Sequence, residues 1–199
     1  MTIQFLPAIT PSRSSFKIVP ASQAIFNPYS KVETIIEEPG DKWAVSLSWR
    51  FLRPVELREL RAFLHSLRGQ SGRCYIRDTA HSNMGAWPGS PRVGAAGQYG
   101  NLLSVVGFTA NRAVAKAGDR FTINGRLHEI TVDASSNSSG AAVLRFEPEI
   151  IIPPAANTPL VHSQPFGTFM LRDPSQIPDF SQAKSGARDV SIGFIEALR

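Results

Sequence analysis

Lys42-Trp43-Ala44-Val45-Ser46-Leu47-Ser48-Trp49-Arg50-Phe51 opens the stretch 42–78, and its reading decides the fold. Trp43, Val45, Leu47, Trp49 and Phe51 alternate with Ala44, Ser46, Ser48 and Arg50. A period of two sends successive side chains to opposite faces, so this is a strand with one apolar face and one facing a small-residue layer or water. Such a strand implies a sheet. Leu57, Leu60, Leu64 and Leu67 follow at spacings of three and four, the pattern of a helix with one buried stripe. Pro54 stands where a first helical turn tolerates a missing N–H, and Gly69 stops the helix. Gly72-Arg73-Cys74-Tyr75-Ile76-Arg77 then reads as a second strand.

Beside the leucine row runs a second stripe, Arg58, Arg61, His65 and Arg68. It reads as a solvated face or as a contact with an acidic neighbouring subunit. Over the whole chain of 199 residues, 21 Lys and Arg stand against 16 Asp and Glu, a formal charge of +5, but they are scattered. A strong nucleic-acid binder concentrates its charge on one face, and only the helix flank does so here. An apolar content of 42% suffices for a core.

The single cysteine, Cys74, excludes an intramolecular disulfide and fits assembly in a reducing cytoplasm; no base stands near it in sequence, so it reads as a small buried hydrophobe. Neither a signal peptide nor an apolar run of membrane-spanning length is evident.

Outward from the central stretch, residues 1–30 carry Pro7, Pro11, Pro20 and Pro28 and read as an extended arm, suited to a sheet edge or a wrap around a neighbour. Residues 32–36 suggest a strand that turns at Pro39-Gly40-Asp41 into the 42–51 strand as a hairpin. Residues 79–101, glycine-rich around Met84, Trp87 and Tyr99, read as a long loop. Trp87 there suits a subunit contact or local packing equally.

Asn124-Gly125 between Arg120–Ile123 and Arg126–Val132 predicts a type I′ hairpin, because both central residues need positive φ. Two-residue register puts Phe121, Ile123, His128, Ile130 and Val132 on one core face. Ala141–Phe146 completes a meander. Residues 153–165 form a proline-punctuated connection, Phe166–Leu171 a strand, 173–187 a polar loop, and Val190, Ile192 and Phe194 a final strand.

The chemical motifs are mostly absent. His65, His81, His128 and His162 lack metal-ligand spacing, so no metal ion is expected. Glu56 and Glu59 are three apart on the helix, where the macrodipole explains acidic residues near an N-terminus. Gly94, Gly97 and Gly100 lack the flanking strand and Lys-Ser/Thr of a phosphate loop, and no Gly-x-Ser-x-Gly elbow occurs. The chain reads as a non-enzyme, with no catalytic residue and no cofactor.

Lys42–Trp49, then Glu56–Gly69 with Ala62-Phe63-Leu64 and Leu67-Arg68-Gly69, then Arg73–Asp78, resembles the N-terminal region of distal tail proteins and related tail-tip components of long-tailed bacteriophages. Gly118-Asp119-Arg120-Phe121-Thr122-Ile123 matches that family's Gly-Asp-x-Phe-x-Ile hairpin, and the resemblance spans roughly residues 40–195. It implies a mainly β fold, a split β-barrel or sandwich-like unit with one α-helix and a projecting hairpin or loop. Here the barrel would occupy residues 31–199 with the long loop at 79–101, preceded by the arm at 1–30.

The resemblance further implies a virion protein assembled in the host cytoplasm, a homo-oligomer closing as a hexameric ring between the tail tube protein and the tail hub or tip protein. No membrane and no specific nucleic acid enters that role. The chain is too short for the added carbohydrate-binding-like domain of many members, and the proline-rich arm has no counterpart in the family pattern. The candidate interface residues are Trp43, Trp49, Arg58, Arg61, His65, Arg68, Trp87 and Tyr99. Two rival readings are a nucleic-acid-binding barrel using the basic flank with Tyr75 and Trp87, and a tail-associated hydrolase with Glu56 or Asp119 as acid or base.

Overall fold

The computed structural model describes residues 3–29, 31–36, 38–177 and 189–198. In chain order the strands are β1 (Gln4–Phe5), β2 (Arg13–Val19), β3 (Gln23–Phe26), β4 (Glu33–Ile36) and β5 (Lys42–Trp49), followed by helix α1 (Pro54–Ser66). Then come β6 (Cys74–Arg77), β7 (Gly89–Val93), β8 (Gly100–Phe108), β9 (Ala113–Ala115), β10 (Arg120–Ile123) and β11 (Arg126–Ile130). The last are β12 (Ala134–Ser135), β13 (Ala142–Ile150), β14 (Phe166–Leu171) and β15 (Val190–Glu196). Among the described residues the chain is mainly β with one α-helix, arranged as a curled, split barrel of several sheets.

The larger sheet has six strands in the order β1-β6-β14-β15-β5-β2, and the alternation in 42–49 explains why β5 lies inside it. Trp43, Val45, Leu47 and Trp49 are all buried, joined by Leu60, Phe63, Leu64 and Leu67 from α1 in one core. The helix starts at Arg53, whose backbone N–H donates to Glu56 Oε2 at 2.9 Å while its guanidinium Nε donates to Glu56 Oε1 at 3.0 Å. It ends where Arg68 takes a left-handed φ of 49°, and Gly72 N–H then donates to Leu67 O at 2.8 Å.

The second sheet runs β10-β11-β13-β8-β7 over its own core of Trp87, Phe108, Phe121, Phe146 and aliphatic neighbours. The β10–β11 hairpin joins the two cores, because it is buried on both faces. Phe121 and His128 are paired across it and face the second core, whereas Leu127 belongs to the first. Trp43 Nε1 donates to Leu127 O at 2.8 Å and Arg126 pairs with Glu196 of β15 at 3.1 Å, which fastens the hairpin to the six-stranded sheet while β11 pairs with β13 in the second.

Four expectations change. Residues 33–36 pair with β3, not with β5, so the N-terminal region holds a separate two-stranded hairpin; β5 takes β2 as its neighbour instead, at the sheet edge. Residues 79–101 are not one loop, since β7 pairs antiparallel with β8 inside that span. Phe51 is 77% exposed rather than on the apolar face, because the chain turns through φ 57° just past the end of β5. Val132 is 51% exposed because β11 ends two residues before it. Most of the polar loop expected at 173–187 lies outside the described residues.

Gly140 closes the turn into β13 with φ 74°, and a Cβ there would run into the Phe108 carbonyl oxygen. Strained φ and a collision with backbone act together. Gly140→Ala is expected to cost about 2 kcal/mol or more, read as a lowered denaturation midpoint with an unchanged m-value.

Candidate subunit interface

The interior ionisable groups are consumed by structure. Asp119, 1% exposed, accepts from Met84 N (2.7 Å), Gly85 N (3.0 Å), Trp87 Nε1 (2.9 Å) and Lys116 N (2.9 Å). One carboxylate therefore folds residues 84–87 onto the turn before β10. Gly85 sits so close to it that any Cβ would meet the carboxylate. Arg120 pairs with Asp78 and Glu129, each at 2.8 Å, and its guanidinium carbon lies 5.0 Å from the centre of the Trp43 ring. Glu56, the other residue of the hydrolase reading, is paired with Arg53 at the start of α1, which holds its carboxyl below the usual range. Tyr75 packs between Phe5 and Phe166 at 5.0 and 4.8 Å.

A cavity of about 280 Å³ opens beside the β10–β11 hairpin, lined among others by Arg126, His128, Ile150, Thr168 and Glu196. Burial raises the Glu196 carboxyl and drives the His128 imidazole down to about 3. His128 is thus neutral near pH 7, donating through Nδ1 to Pro148 O at 2.7 Å, and its Nε2 has no hydrogen-bond partner among the described residues. Burial pushes the Cys74 thiol up to about 12, so it is held as a thiol and packs as an apolar group. Among the described residues no cluster of His, Cys, Asp and Glu could hold a metal ion, and no helix is long and apolar enough to cross a membrane.

The residues singled out as an interface fall into two groups. Trp43 and Trp49 are each 1% exposed and Trp87 is 3% exposed, so they present no surface to a neighbour. Their indole N–H groups are all satisfied within the chain, Trp49 donating to Ile9 O and Trp87 to Asp119, while the Trp87 ring stacks on His162 at 5.2 Å. Period two marks a buried face but not what buries it, and here it is the chain itself. Arg58, Arg61 and His65 on the outer side of α1 and Arg68 just past its C-terminal end are exposed, as is Tyr99 where the β7–β8 connection enters β8.

Sequence reasoning missed an exposed apolar group. All eight residues of β3 and β4 are exposed, and Ile25, Phe26, Tyr29, Val32, Ile35 and Ile36 keep much of their surface open to solvent. The available signal was Asn27-Pro28, a turn dipeptide between two short β-branched and aromatic runs. Comparison of the chain with protein-family models and with curated protein sequences returned no match.

Proposed function

We propose that this chain is a structural component of a bacteriophage tail tip, a distal-tail-type ring protein that joins the tail tube to the hub or baseplate. The observation that carries the reading is the β3–β4 hairpin. A lone two-stranded hairpin is marginal in water, and large apolar side chains gathered on one marks a surface built to be covered. The strand–helix–strand unit of residues 42–78 and the Gly118–Ile123 hairpin, the segments that resemble this family, form the centre of the two joined cores. The interior carboxylates Asp119 and Glu196 are engaged in hydrogen bonds and an ion pair that hold strands together, a framework role.

The chain acts in the virion as a homo-oligomer of six copies, with the tube protein on one side and the tip protein on the other. Light scattering and negative-stain imaging of the purified chain, alone and with its tube protein, test this. The expected result is a ring with about six times the 21.7 kDa mass of one chain. A chain that stays monomeric at high concentration and ignores the tube would overturn it.

A further inference from the structure

The exposed hairpin does not stand alone on the surface. At its base a groove of about 500 Å³ is lined by Glu38, Asp41, Glu147 and Glu149, and none of these four carboxylates forms an ion pair among the described residues. The base is firm, because Asp41 Oδ1 accepts from Ala21 N at 2.7 Å and Asp41 O accepts from Arg126 at 2.8 Å. Register places Phe26 and Ile35, 61% and 64% exposed, on one face of the hairpin, since each is paired directly with a residue of the opposite strand on that face. The exposed apolar hairpin thus rises from an acidic groove at its base.

A second patch has the opposite charge. Phe51 and Val55 are 77% and 73% exposed, Arg58 lies one turn further along α1 with His65 two turns beyond it, and Arg68 follows just past the helix end, where the backbone has turned to a left-handed φ. Arg58, His65 and Arg68 form no ion pair among the described residues. The hairpin leaves the sheet at the Lys42 end of β5 and the Phe51–Val55 patch follows its Trp49 end. Eight residues of strand separate those ends by roughly 25 Å. The hairpin and the Phe51–Val55 patch thus start from opposite ends of β5, and pairing them between copies is head-to-tail, the arrangement that closes rings.

We infer that the β3–β4 hairpin and its acidic groove in one copy dock on the outer face of α1 in the next, with Phe26 and Ile35 against Phe51 and Val55 and the groove carboxylates against the arginine row. This rests on the ring reading above and names the surfaces that build the ring. Opposite charges at the rim steer association and fix which face meets which, and the apolar centre supplies the driving force.

Charge reversal from both sides tests it, read as mass by light scattering at low and physiological salt. Arg58→Glu with Arg68→Glu in one protein, and Glu38→Lys with Glu149→Lys in another, are each expected to weaken self-association more than tenfold, because like charges then face each other. Mixing the two proteins is expected to restore assembly, since acidic helix then meets basic groove. Phe26→Ser with Ile35→Ser is expected to abolish assembly while leaving the melting curve of the monomer nearly unchanged, as both side chains are exposed. Assembly of the native chain that neither reversal nor the hairpin variant moves would overturn these surfaces and leave the ring reading standing. Failure of the native chain to assemble, alone or with the tube protein, would overturn both.

Discussion

Asp119→Asn is expected to destabilise the fold by about 4 kcal/mol or more, with the loss read from urea denaturation. The substitution keeps shape and removes charge. Four donors converge on this carboxylate, three of them backbone N–H groups and one the Trp87 indole. An amide can accept at only one oxygen, and its own NH₂ then points at donors, leaving buried N–H groups unpaired at about 1–3 kcal/mol each. Trp87 fluorescence should change in the folded variant, because the indole loses its hydrogen-bond acceptor while His162 still stacks on the ring. A variant as stable as the native chain would show that residues 84–87 are held by packing alone.

Acidification is expected to reveal His128. Its folded-state pKa lies at about 3 because burial and the nearby Arg126 disfavour the imidazolium, against an ordinary value of 6.5. Above pH 6.5 both folded and unfolded chains hold it neutral, and its protonation costs nothing. As pH falls from 6.5 towards 3 the unfolded chain takes up a proton that the folded one refuses, so stability declines at up to about 1.4 kcal/mol per pH unit, on the order of 4 kcal/mol by pH 3. His128→Phe fits the same aromatic cluster of Phe121 and Phe146, which lie 5.2 and 4.9 Å from the imidazole. It forfeits the bond to Pro148 O, at about 1–3 kcal/mol near pH 7, but should flatten the acid limb between pH 6.5 and 4.5. An unchanged slope in the variant would assign the acid sensitivity elsewhere.

Much of the framework was legible because local rules wrote it. The alternation of Trp43 to Trp49, the leucine spacing of α1 and the Asn124-Gly125 turn each operate within a few residues and each formed the expected element. The interface was less legible. Trp43, Trp49 and Trp87 carry the composition of a contact surface, yet the same composition builds a core, and only the packing of β14, β15 and α1 shows that Trp43 and Trp49 are covered from within. Asp119 looked like a candidate acid in the string Gly118-Asp119; its donors lie as far as 35 residues away, which no local pattern encodes.

The N-terminal region shows the limit most clearly. Its prolines suited an edge strand or a wrap around a neighbour, and β2 lies at the edge of the six-stranded sheet, but the partner of residues 33–36 could not be read. Two short apolar runs flank those residues at similar distances in sequence, β3 and β5, and either is long enough to pair with them. Long-range pairing decides between them, because β2 already occupies the side of β5 that is not held by β15 and leaves β4 only β3. Residue order alone thus determined the central strands β5, β6, β10, β11 and β15, the helix and the Asn124-Gly125 turn, since those depend on neighbours a few positions apart, whereas it did not mark β3 or β7 as strands. Which strand pairs with which, which tryptophans are interior, and that the apolar hairpin faces solvent were decided only by the tertiary structure, since each depends on the finite number of free sheet edges and on surfaces brought together from distant parts of the chain.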